Sequence, residues 1–206
     1  MSISIIIIAI TVGASLLAWQ NQGSFEKYAF YPAKVWKNKE YIRFFSSSLL
    51  HVSGMHLFFN MLTFFFFGPT VERYFEIYSP GNGAIFLGIL YVSAMVLSEF
   101  GTLFKYKDDR GYSSVGASGA VSAVLFSAIW FNPTSQILVM FIPMPGFAFG
   151  AVYLLYTAYA AKNDYTGHIN HDAHFYGSVW GVLYSLVLVP ASIPVFLDQL
   201  IHFQLF

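Results

Sequence analysis

The 206-residue chain contains no cysteine. That excludes disulfides, thiolate zinc sites and a cysteine nucleophile. Charge is nearly as scarce. Asp, Glu, Lys and Arg make up 10% of the residues, ten acids against ten bases. A soluble domain usually carries about 25%. The even balance leaves no basic stripe to meet phosphates, so nucleic acid is excluded as a partner. What the chain does have is apolar: 57% hydrophobic residues and a mean hydropathy of +0.60. So few charges cannot clothe a water-facing surface of this size, and composition points to a membrane protein.

The charges are also unevenly spread. None falls in residues 1–25, 44–71, 77–98, 111–161 or 173–197. A spanning helix needs about 20 mainly apolar residues. The longest gap holds two such stretches, with Asn132-Pro133-Thr134-Ser135 as the turn between them. Six spans are predicted, at roughly 3–19, 54–72, 84–104, 114–131, 146–162 and 172–190. An all-α, polytopic membrane bundle follows, because helices satisfy their own backbone groups in lipid. The first stretch lacks a positive n-region and reads as a span rather than a cleaved signal peptide. Residues 137–142 are apolar but are cut off by Pro143-Met144-Pro145-Gly146, and read as an interfacial or re-entrant piece. Residues 20–50 mix rings with lysines, which suits the headgroup zone. The tail, 191–206, reads as a surface segment.

Polar residues at membrane depth are costly and often functional. His51, His56 and Asn60 enter the second span, Ser114, Ser118 and Ser122 the fourth, and His168, His171 and His174 the sixth. Even-numbered spans enter from one face, so these groups share one level of the bundle. His56 and Asn60 are four apart and lie on one helix face. Gly177 and Gly181 follow His174 and form a small-residue face that permits close helix approach. If that face packs on the small residues around Ser118, the histidine comes within reach of the serine. A serine beside a histidine is the minimum for nucleophilic acyl transfer. Plainer readings stand beside this one. Ser118 is open to reading as a packing residue, His56 with Asn60 as interhelical glue, and His51, His56, His171 and His174 as metal ligands.

Three motifs together resemble those of the rhomboid intramembrane serine proteases. Gly116-Ala117-Ser118-Gly119 is similar to the family's G-x-S-G, and Ala173-His174-Phe175-Tyr176-Gly177, continuing to Gly181, to its A-H-x-x-G-x-x-x-G. The stretch from His51 through His56 to Asn60 is similar to its H-x-x-x-x-H-x-x-x-N. The resemblance implies a single rhomboid-like membrane domain over 1–206, with a six-helix core. It implies an intramembrane serine endopeptidase that cuts transmembrane segments of other membrane proteins through a Ser118–His174 dyad. His56, Asn60 and the backbone N–H groups of Ser118 and Ala117 would bind the oxyanion. No cofactor or metal is implied. The partners would be membrane-protein substrates and the bilayer, in a bacterial cytoplasmic membrane. The alternative is a non-catalytic rhomboid-like protein that binds membrane clients.

The chain departs from the family pattern in two places. Ile42-Arg43 stands where some members have Trp-Arg, and Ser122 stands where an aromatic usually supports the catalytic histidine. His171 or Tyr176 is the residue expected to orient His174 instead. Glu72 matches a family glutamate and reads as structural. Nine of the ten Lys and Arg lie in odd-numbered loops, and that bias would turn the site toward the cytoplasm. The family opens it outward, and the expected orientation follows the family.

Overall fold

The computed structural model of the protein describes residues 2–21, 23–139, 142–163 and 169–204. His168 lies outside the described residues. A helix coincides with every expected span: α1 (Ile3–Gln20), α5 (Gly54–Tyr78), α6 (Gly83–Leu97) with α7 (Phe100–Tyr106), α8 (Ser118–Phe131), α9 (Gly146–Asn163) and α10 (His171–Leu188). Among the described residues, three stretches are long and apolar enough to cross a bilayer alone: Ile3–Gln20, Gly54–Tyr78 and Gly83–Tyr106. The pair α10 and α11 (Ser192–Ile201), bent by 118°, would make a fourth.

α8 is short for a physical reason. Its 14 residues rise about 21 Å, less than a hydrocarbon core. Every residue from Gly119 to Phe131 is buried by other helices, so α8 is the central post of the bundle. The outer helices are turned inside out relative to a soluble fold. α1 buries Ser4, Thr11, Ser15 and Ala18 and exposes Ile5, Ile10, Leu16 and Leu17. α9 exposes Val152, Leu155, Tyr156 and Tyr159. Small and polar residues inside with large apolar ones outside is the pattern of helices packed in lipid. The protein is a multi-pass membrane protein.

Three segments outside the spans are more ordered than sequence reading suggests. Residues 20–50 hold α2 (Gly23–Tyr28), α3 (Pro32–Asn38), α4 (Arg43–Ser46) and a single turn of tighter helix, Ser47–Leu49. Arg43 is buried there. Its Nη1 donates to the carbonyls of Ala29 (2.8 Å) and Glu26 (3.2 Å), and its Nε to Glu40 (2.6 Å). One guanidinium thus ties the segment together. The piece after α8 is a β-hairpin, so the fold is not purely α. β1 (Gln136–Val139) pairs antiparallel with β2 (Ile142–Pro145), Gln136 opposite Pro145 and Val139 opposite Ile142. Pro143 and Pro145 cannot donate to a helix ladder, and Ile, Leu and Val favour extended backbone. The tail forms α11, which is amphipathic and stacks Phe196 on Trp130 at 4.4 Å.

Candidate active site

α8 begins at Ser118, four residues later than the span expected from charge spacing. Gly116 has φ +134°, a conformation L side chains rarely adopt, and turns the chain into the helix. A Cβ there would lie 2.6 Å from Cε1 and 2.9 Å from Nε2 of His56. The His56 ring therefore rests directly on the backbone leading to Ser118. Ser53 caps α5 by accepting from the His56 N–H (3.2 Å), which fixes where the helix starts. One turn on, Asn60 donates its amide to the His56 carbonyl (3.0 Å).

The other half of the site comes from α10. A Cβ on Gly177 would overlap the carbonyl oxygen of Gly119, and one on Gly181 the carbonyl oxygen of Ala123. One turn further, Ser127 and Ser185 share a hydrogen bond of 2.6 Å. The two helices run parallel in one constant register, backbone against backbone, as the glycine spacing predicts. Asn170 caps α10 by accepting from the Ala173 N–H (3.0 Å). Its amide donates to Glu99 (2.9 Å), and Thr102 donates to its Oδ1 (2.8 Å). The start of α10 is thereby pinned to the α6–α7 junction.

Ser118, His174, His56 and Asn60 line one cavity of about 870 Å³. Val52, Met55 and Phe59 of the α5 entry also line it, as do Phe149 and Tyr153 of α9. Ser118 and His174 share this space without a direct hydrogen bond. As the first residue of α8, Ser118 has an N–H that no preceding turn can accept.

Two expectations change on this geometry. The Ala117 N–H is not aimed at the cavity. It donates to Nε2 of the buried His51 (3.3 Å), whose Nδ1 lies 3.0 Å from Ser15 Oγ. Both nitrogens of His51 are thus used by the protein, which removes it from any metal site. Among the described residues no group of three or more His, Cys, Asp and Glu is placed to hold a metal ion. Tyr176 is not beside His174 either: its exposed ring covers Gly101 of α7. His171 is close, ring edge to face at 6.1 Å. The residue that sequence reading missed is Tyr153, whose ring lies parallel to His174 at 6.3 Å. No local motif marks it among 14 tyrosines.

A polytopic helical bundle that gathers a serine, histidines and an asparagine around one cavity at the helix entries defines a recognisable class. The chain belongs to the rhomboid family, whose model, described as Rhomboid domain, matches residues 38–191. It is 37% identical over 95 residues to Rhomboid protease GlpG of Haemophilus influenzae, covering 46% of this chain and 44% of that one. It is 27% identical over 142 residues to the mitochondrial RHOMBOID-like protein 12 of Arabidopsis thaliana, covering 65% and 42%. Against Putative rhomboid protease YdcA of Bacillus subtilis it is 30% identical over 157 residues, covering 74% and 69%. The chain spans less than half the length of the first two of these relatives.

Proposed function

We propose that the protein is an intramembrane serine endopeptidase, a single domain of six membrane-spanning helices that cuts transmembrane segments of other membrane proteins. The bacterial cytoplasmic membrane is its proposed location, with the cavity opening away from the cytoplasm. The observation that carries the reading is the convergence of Ser118, His174, His56 and Asn60, from three separate helices, on one cavity.

In this mechanism Ser118 Oγ attacks the scissile carbonyl carbon while its proton passes to the His174 ring. The carbonyl oxygen becomes an oxyanion, met by the His56 ring, the Asn60 amide and the Ser118 N–H. Fixed donors in a water-poor site are worth about 3 kcal/mol each in hydrolases. The intermediate collapses, the C–N bond breaks, and His174 returns its proton to the leaving amine. Water, deprotonated by His174, then attacks the acyl-enzyme and frees Ser118. Ser113, Ser114 and Asn170 add polar groups to the lining of the cavity that this water must enter. The family resemblance adds a preference for a small residue before the cut.

A fluorophosphonate probe should label the wild type and not Ser118→Ala. A single-span model substrate should be cut near the membrane surface, with the site mapped by mass. Equal labelling of both proteins overturns the nucleophile. Client binding with no turnover, retained in Ser118→Ala, would favour the non-catalytic alternative.

A further inference from the structure

The imidazole proposed as the base must be held in one orientation, and position 122, one turn past Ser118, offers only a hydroxyl. The structure fills that gap from another helix. Tyr153 of α9 lies face to face with His174, with ring centroids 6.3 Å apart and 21° between planes. Its hydroxyl is 3.1 Å from Ser122 Oγ, so the serine anchors the ring that the position itself lacks. Phe126 of α8 (5.6 Å) and Phe149 of α9 (5.5 Å) flank the same ring and restrict its rotation. Three residues further on, Tyr156 meets His171 edge-on at 5.6 Å. The two pairs, 153 with 174 and 156 with 171, fit one antiparallel register between α9 and α10. They form a two-rung ladder rather than a single chance contact.

We propose that Tyr153 is a positioning residue for His174, so that α9, and not α8, orients the catalytic base. The inference rests on the peptidase reading above. Parallel aromatic rings at this separation lie within the favourable offset range. The flat Tyr153 face limits the rotation of the imidazole. Losing the ring leaves the base present but free to turn. Misplacing a catalytic group by about 1 Å costs on the order of 100-fold in rate.

The test compares wild type, Tyr153→Phe, Tyr153→Leu and Tyr153→Met on a single-span substrate in detergent, with fluorophosphonate labelling rates and unfolding midpoints measured alongside. Leu and Met should each lower kcat by about 10–100-fold, with KM within about twofold. Labelling of Ser118 should slow in parallel. Phe keeps the ring and loses the hydroxyl, and should stay within about threefold of wild type. Unchanged kcat in Leu or Met overturns the proposal, as does a loss in Phe equal to that in Leu, which would credit the Ser122 link. If Leu fails to fold, Met carries the comparison. Ser118-specific labelling that is indifferent to the Leu and Met changes overturns Tyr153 alone. A wild type that is not labelled at Ser118 overturns the peptidase and the positioning role together.

Discussion

At His51 the hydrogen-bond pattern fixes a tautomer. The Ser15 hydroxyl donates to the Leu49 carbonyl (2.8 Å), so its oxygen can only accept from His51 Nδ1–H. Nε2 is left bare to accept from Ala117 N–H. A second proton on this ring would face an N–H and would have to be buried. Burial first, and then the neighbouring His56, push the His51 ring from 6.5 down to about 3. The folded protein thus favours the neutral ring, while the unfolded chain takes up a proton near pH 6.5. The stability from neutral His51 is complete above pH 6.5 and is lost as pH falls toward 3. The slope should approach about 1.4 kcal/mol per pH unit inside that window. Unfolding midpoints in detergent between pH 7.5 and 4 should show it, with a flatter dependence in His51→Asn. His56 and Asn60 should behave differently. Changing either to Ala should lower kcat by about 100-fold or more while leaving the unfolding midpoint near wild type. An equal loss of stability and activity would make them packing residues. These side chains were legible in the sequence because helical spacing puts His56 and Asn60 on one face. The commitment of the Ala117 N–H to His51 was not, since 66 residues separate the partners and no local pattern links them. Tyr153 was hidden for the same reason.

Helices were the easiest elements to read, because gaps between charges mark them before any propensity is considered. The approach of α10 to α8 was legible too, from Gly177 and Gly181. Gly177→Ala or Gly181→Ala would drive a methyl into backbone carbonyls of α8 that cannot turn aside. Each should cost about 1–3 kcal/mol in an unfolding assay and lower turnover as α10 backs away from Ser118. Gly13→Ala is the control: nothing lies within 4 Å of a Cβ there, so it should be neutral or slightly stabilising. What the sequence hid at this scale was the ordering of linkers. The β1–β2 hairpin has too few residues to carry an alternation signal. The fold of residues 20–50 depends on Arg43, whose partners Glu26 and Ala29 are 17 and 14 residues away.

For the molecule as a whole, charge bias and family orientation disagree about which way the cavity faces. The absence of cysteine makes the question easy to settle, since any thiol introduced is the sole label. A cysteine at Lys39, in the loop on the cavity side, should react with a membrane-impermeant maleimide added outside intact cells. One at Ser135, between α8 and α9 on the other side, should react only after lysis. The reverse pattern would follow the lysines and overturn the outward orientation.

The hairpin end of α9 is fastened to the end of α8: Gly146 N–H donates to the Ser135 carbonyl (2.9 Å) and Phe147 N–H to that of Pro133 (2.7 Å). Near its far end the Lys105 ammonium reaches the Ala161 carbonyl. Tyr153 sits seven residues above the fastened end, about 10 Å along the axis. A helix tied near both ends holds Tyr153 in place against α10. A tilt of roughly 15° would carry the tyrosine about 2.5 Å from its imidazole neighbour, by the same helix rise. On the peptidase proposal, these ties at the ends of α9 therefore guard the aim of the proposed base, although neither of them touches His174.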